Sequence, residues 1–79
     1  MAQEIPIHGD TIRLGQLLKL AGVVDSGSEV KALLAEAQVL VNYQPETRRG
    51  RQLHVGDVVR VSGLDDLGSE PIELRVSHA

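Results

Sequence analysis

The chain has no cysteine, no phenylalanine, no tryptophan and only one tyrosine. Without cysteine no disulfide is available, which fits a reducing compartment. Without Phe or Trp the core has to be built from Leu, Val, Ile and Ala. No apolar run approaches the roughly 20 residues that span a bilayer, and Met1-Ala2-Gln3-Glu4 lacks the basic start and apolar centre of a secretion signal. These absences point to a soluble cytoplasmic protein with no membrane partner. Internal repeats and low-complexity tracts are absent too. With 79 residues the expectation is a single domain over 1–79, because so short a chain hides only roughly 60% of its unfolded surface and cannot divide that between two cores. A stability on the order of 5 kcal/mol is expected, the low end for globular domains.

What the sequence does have is concentrated between Ser26 and Asp57. Ser26-Gly27-Ser28-Glu29 is a capping box, in which the Ser hydroxyl and the Glu carboxylate each satisfy a backbone N–H left over at a helix start. Val30, Leu33, Leu34 and Ala37 then fall at i, i+3, i+4 and i+7, one apolar stripe of a helix with Lys31 and Glu36 facing elsewhere. From Gln38 the period changes to two, with Val39 and Val41 on one side and Leu40 and Asn42 on the other, so a strand follows. A turn is expected at Tyr43-Gln44-Pro45. Glu46-Thr47 resumes the strand and leads into Arg48-Arg49-Gly50-Arg51, a loop with three cations in four residues, before Val55-Gly56-Asp57.

The flanks fit around this centre. Glu4-Ile5-Pro6-Ile7 reads as a short strand, and Pro6 places it at a sheet edge because proline cannot donate to a ladder. Asp10 or Thr11 can cap a first helix whose apolar residues are Leu14, Leu17, Leu18 and Ala21, and Gly22 ends it by accepting a left-handed conformation. Val23-Val24-Asp25 is a link short enough to pack the two helices together. Val58, Val59 and Val61 form a β-branched strand, Ser62 to Glu70 a turn or loop, and Ile72, Leu74 and Val76 a last strand antiparallel to the one before. The fold class is therefore α+β: two packed N-terminal helices beside a small, mostly antiparallel β-sheet.

The net charge of −3 argues at first against an anionic partner, but its distribution is uneven. Between Thr11 and Arg60 there are seven cations against five acids, whereas Asp65, Asp66, Glu70 and Glu73 crowd the last fifth. The Arg48, Arg49, Arg51 loop has a plain reading, since charged residues belong on exposed loops. It also has a chemical one: guanidinium forks grip paired phosphate oxygens, and Gly50 allows a backbone to come close. Arg13 and Lys31 come from the two helix starts, where free N–H groups also favour phosphate. Lys19 reads first as a solvated residue and second as a contact. Tyr43 could stack on an unpaired base or pack on the sheet. His54 would add charge below about pH 6.5.

His8, His54 and His78 lie far apart and have no cysteine company, so no metal or other cofactor is expected. Catalysis finds little support. Ser26 is accounted for by capping and has no nucleophile elbow around it, and Asp65-Asp66 reads as a solvated acidic loop rather than an acid–base pair.

The order helix, helix, short hairpin, Gly-Asp turn, strand resembles the S-four-like RNA-binding domain, named after a small-subunit ribosomal protein. The likeness covers about Ile12 to Val61. It rests on Arg13-Leu14 at the first helix, Ser26 and Leu33-Leu34 in the second, Val39-Leu40-Val41-Asn42 in the hairpin and Gly56-Asp57 after it. Leu17-Leu18-Lys19-Leu20, Ser26-Gly27, Lys31 and Glu46-Thr47-Arg48-Arg49 resemble the small stand-alone YbcJ-like branch. The chain departs from the family at Gly27, where many members carry Arg, and at Gly15, where an acid is common. It also departs at Ala37 and Tyr43, where Gly is preferred, and at Gln52 and His54, where close relatives tend to be basic. A positive φ at Ala37 or Tyr43 would cost on the order of 1 kcal/mol relative to Gly.

The resemblance implies a non-enzymatic, ribosome-associated RNA-binding protein with no small-molecule substrate. Arg13, Lys31, Arg48, Arg49 and Arg51 would contact phosphates of structured RNA of ribosomal or transfer type, with Lys19, Tyr43 and His54 as further contacts. Such a module would work alone or within a larger ribonucleoprotein. Two rival readings stand beside it. A β-grasp sulfur carrier shares the Val39-to-Asn42 and Gly56-to-Val59 pattern, but such carriers end in Gly-Gly and this chain ends Val76-Ser77-His78-Ala79. The stronger rival is a protein-interaction module whose Arg loop meets an acidic protein partner.

Overall fold

Alternating apolar residues in four strands create one continuous hydrophobic sheet face, and the rest of the molecule is arranged to cover it. The computed structural model describes residues 2–63 and 71–79. Among them the elements run β1 (Gln3–Ile7), β2 (Thr11–Arg13), α1 (Leu14–Leu20), α2 (Gly27–Glu36), β3 (Gln38–Val41), β4 (Gln44–Pro45), β5 (Gln52–His54), β6 (Val58–Ser62) and β7 (Ile72–His78). The main sheet has the order β1-β7-β6-β3-β4. Its neighbours are antiparallel except β1 and β7, which run parallel. This is the α+β architecture expected from the sequence, with β1 at a sheet edge and β7 antiparallel to β6.

Register puts Val39 opposite Val61 and Val41 opposite Val59, then Val59 opposite Leu74 and Ile5 opposite Val76, so their buried side chains share one face. Leu14, Leu17 and Leu18 of α1, Val30 and Leu34 of α2, and Leu53 of β5 join them in a single core cluster, with Leu33 and Ala37 partly buried against it. Removing these side chains from water is the main stabilising term, roughly 1.5–3 kcal/mol for each fully buried Leu or Val. The opposite face alternates charge across strands: Arg60 stands between Leu40 and Glu73, and Arg75 between Val58 and Glu4.

Helix ends follow the sequence closely in α2 and less so in α1. The Glu29 N–H donates to Ser26 Oγ at 3.4 Å, while the Glu29 carboxylate accepts from the N–H of Asp25 at 2.7 Å, one residue earlier than in an ideal capping box. In α1 the expected cap at Asp10 or Thr11 is replaced by Arg13. Thr11–Arg13 is held extended by pairing with Gln52–His54 in a separate two-stranded ribbon, Ile12 opposite Leu53, and the helix cannot start until that pairing ends. Past α1, Gly22 takes the left-handed conformation (φ 77°) as expected.

The hairpin turn also sits earlier than the sequence suggests. Asn42 and Tyr43 both have positive φ, 50° and 66°, the two-residue turn whose twist matches that of the flanking strands. Gln44 and Pro45 are therefore a strand rather than turn residues, Gln44 pairing with Val41 and Pro45 with Leu40. Tyr43 carries the left-handed strain of about 1 kcal/mol, whereas Ala37 is extended at φ −98° and carries none. Of the expected Ser62–Glu70 loop, Ser62 closes β6, and 64–70, with Asp65, Asp66 and Glu70, lie outside the described residues. No helix among the described residues is long and apolar enough to cross a membrane.

Candidate nucleic-acid interface

The loop between β4 and β5 is built around one carboxylate. Glu46 is buried, 8% exposed, and among the described residues it is the sole charged side chain in the interior. Its backbone N–H donates to the Val39 carbonyl at 2.9 Å, which fixes it to β3. Its side chain accepts from the N–H groups of Thr47 (3.0 Å) and Arg48 (3.1 Å), from Arg48 Nε (3.2 Å) and Nη2 (3.1 Å), and from Arg51 Nη1 (2.8 Å). Bonds from the Arg48 side chain, then from the Arg51 side chain and the Arg48 N–H, outweigh burial and hold its carboxyl down at about 2. A buried charge this well surrounded is tolerated because every lone pair has a donor.

From Glu46 the loop turns onto α1. The Arg51 N–H donates to the Arg48 carbonyl at 3.2 Å, and the carbonyls of Arg51 and Arg49 accept from Leu14 and Gly15, each at 2.9 Å. Two of the N–H groups at the start of α1 are therefore satisfied by the loop, and they are not open to phosphate as the sequence reading assumed. Gly15 is what lets the loop come so near: a Cβ there would lie 3.3 Å from Val30 Cγ1 and 3.5 Å from both the Cβ and the carbonyl oxygen of Arg49.

The result is a shallow concavity of about 260 Å³ lined by Arg13, Gly15, Gln16, Lys19, Gly27, Val30, Arg49 and Gly50. A second depression, sharing Arg49, is lined by Lys31, Leu34, Ala35 and Thr47. A third, sharing Arg13, Gln16 and Gly50, continues to Thr11, Ile12 and Gln52. The three make one surface that gathers Arg13, Lys19, Lys31 and Arg49 from three segments of chain, and among the described residues none that lines it is acidic. Among the described residues nothing beyond the chain neighbours lies within 4 Å of where a Cβ would stand at Gly27 or Gly50, so ligand backbone can approach them closely.

The other sequence candidates lie elsewhere. Arg48 and Arg51 line none of these depressions and hold Glu46, with Arg48 74% and Arg51 38% exposed in their side chains. Tyr43 stands at the hairpin tip, 63% exposed, and its hydroxyl donates to Glu73 at 3.4 Å. His54 lies in β5 with Nδ1 3.8 Å from Asp57.

Asp57 organises a second junction. Its carboxylate accepts from the His54 N–H (2.7 Å) and from Asn42 Nδ2 (3.1 Å), and Asn42 Oδ1 accepts from the Val58 N–H (3.0 Å). Burial pushes the Asp57 carboxyl up, but the His54 N–H, the Asn42 amide and the nearby His54 and Arg51 together hold it below its usual value. Asn42 of the hairpin motif and Asp57 of the Gly-Asp motif thus meet as partners. Residues the sequence reading gave no role in the site are Glu46, visible there as the first residue of the Glu46-Thr47-Arg48-Arg49 motif, and Gly15, visible only as a departure from a family pattern.

A two-helix, small-sheet domain with a cationic, glycine-lined concavity between its helices and a β-loop defines a class, and the match is direct. The family model described as S4 domain matches residues 5–65, and the chain belongs to the S4 domain family. The match reaches beyond the Ile12-to-Val61 core to take in the second half of β1, from Ile5. The chain is similar to the probable ribosome maturation protein RlbA of Bacillus subtilis (strain 168). The two are 54% identical over 64 residues, which cover 81% of this chain and 90% of that protein.

Proposed function

We propose that this chain is a non-enzymatic, cytoplasmic RNA-binding protein of ribosome maturation, recognising structured RNA of ribosomal or transfer type through its phosphates. The observation that carries the reading is the convergence of Arg13, Lys19, Lys31 and Arg49 on a connected surface with no acid in its lining among the described residues. The maturation role rests on the name of the Bacillus relative. Arginine forks and lysine ammonium groups contact phosphate without reading bases, and folded RNA is recognised chiefly by the placement of its phosphates. The net charge of −3 opposes this only at long range. At physiological ionic strength charges are screened beyond about 8 Å, so cations in contact with phosphate outweigh acids farther away than that.

The test is a fluorescence-anisotropy titration of structured ribosomal RNA fragments and tRNA between 50 and 200 mM salt. Contacts from four cations correspond to a slope of about −3 in log affinity against log salt, reduced by nearly two units in Arg13→Ala/Lys31→Ala. Absence of binding at the lowest salt, or a flat slope, would overturn the reading and leave an acidic protein partner as the ligand of this face.

A further inference from the structure

We propose that Glu46 is a positioning residue of the RNA face: it holds Arg48 and Arg51 as braces so that Arg49, the loop arginine that lines the concavity, is set against phosphate. The inference rests on the RNA-binding reading above and deepens it by dividing the three arginines into two roles.

Glu46 connects the sheet to the loop. Its N–H is bonded to Val39 of β3, and its carboxylate takes five donors from Thr47, Arg48 and Arg51. The braced segment continues through the Arg51 N–H on the Arg48 carbonyl to the two carbonyls, of Arg49 and Arg51, that receive the first N–H groups of α1. Arg49 lies between these two anchorages. It lines both the Arg13–Lys19 concavity and the Lys31 depression, while Arg48 and Arg51 line neither. A loop of three arginines repels itself. One buried carboxylate removes that repulsion for two of them and leaves the third aimed outward.

Charge gives the proposal a test of sign. Glu46→Gln keeps the shape and makes the loop more positive by one unit. If Glu46 were only an acid lying beside phosphate-binding arginines, RNA affinity would rise. If it positions the loop, affinity falls although the surface has become more cationic. The charge-neutral pair Glu46→Gln/Arg48→Ala sharpens this, since simple electrostatics leaves its affinity unchanged and positioning lowers it.

The experiment compares wild type, Glu46→Gln, the charge-neutral pair, Arg48→Ala and Arg49→Ala by anisotropy against one RNA across salt, with amide NMR spectra of each free protein. Arg49→Ala should bind about tenfold more weakly, with a slope shallower by nearly one unit. Arg48→Ala should keep the wild-type slope. Glu46→Gln and the charge-neutral pair should bind several-fold more weakly than wild type, with the Leu14 and Gly15 amides shifted and the core signals unmoved. Wild-type or tighter binding by Glu46→Gln overturns the proposal, as does a full unit of slope lost in Arg48→Ala. If wild type binds no RNA, the functional reading falls on its own, and unshifted Leu14 and Gly15 amides in Glu46→Gln then overturn the positioning role separately.

Discussion

Two carboxylates, Glu46 and Asp57, each gather a turn around themselves, and they do so with different partners. Asp57 is bonded mostly to uncharged groups, the His54 N–H and the Asn42 amide, and lies where the Gly56 N–H and its own carbonyl also join Val76 of β7. It ties together the ends of β3, β5, β6 and β7. Glu46 is the more deeply buried of the two and is bonded to two arginine side chains. An acid surrounded by neutral donors fixes strand register, whereas an acid surrounded by cations fixes where charge is displayed. The same side-chain chemistry serves the fold at one turn and the candidate RNA face at the other.

The contrast can be broken most directly by deleting the strand junction. Asp57→Ala leaves the His54 N–H and the Asn42 amide without their acceptor, and should cost about 2 kcal/mol, or about 10 °C in melting temperature for a domain of this size. Well below that melting temperature it should still bind RNA as wild type does. Equal loss of RNA affinity in folded Asp57→Ala and in Glu46→Gln would show that the two acids do not differ in role.

Acid titration separates them next. The Glu46 carboxyl lies at about 2 in the folded protein against an ordinary 4.5. Its stabilising contribution is therefore complete above pH 4.5 and lost as pH falls through 2, because protonation in the unfolded chain precedes protonation in the fold. Asp57 is lowered too and acts with the same sign. Stability measured by denaturant melts should fall across this window in wild type, and more gently in Glu46→Gln than in Asp57→Asn. A wild-type profile that is flat from pH 4.5 to 2 would remove Glu46 from the account.

The smallest expected effect concerns the far anchorage of the braced loop. Gly15→Ala gains up to about 1 kcal/mol of helix propensity but places a methyl 3.3 Å from Val30 and 3.5 Å from Arg49. Net stability should change by less than about 1 kcal/mol, while the Arg49 and Gly50 amide resonances move. Unmoved resonances would show that Gly15 does not set the loop's approach.

What could be read in the sequence was what depends on neighbours in the chain. The cap at Ser26, the stripe Val30, Leu33, Leu34, the alternation through Val39 and Val41 and the left-handed Gly22 are fixed within a few residues of themselves. Ribbon β2–β5 was not legible, because Thr11-Ile12-Arg13 holds one apolar residue and becomes a strand only through Gln52–His54, about forty positions on. That pairing delays the start of α1 and moves its cap to Arg13. The hairpin turn was misplaced because Tyr43 is a poor left-handed residue, and the match of a two-residue turn to strand twist overrides its preference. In the candidate site, the cations were legible as types but not as a set. Lys19 reads as solvated until α1 places it on the lining of the same concavity as Arg49. Arg48, Arg49 and Arg51 read alike until Glu46 sorts them.

The parallel pairing of β1 with β7 has a consequence for the order in which the molecule can be completed on the ribosome. Gln3 stands opposite Leu74 and Ile7 opposite His78, a separation of about seventy residues that is among the slowest kinds of contact to form. The cations of the candidate face all lie between Arg13 and Arg51, on elements whose partners are already synthesised when Ser62 emerges, except for those supplied by β7. The candidate face is thus translated before the strand that closes the sheet, and the edge strand β1 waits for β7.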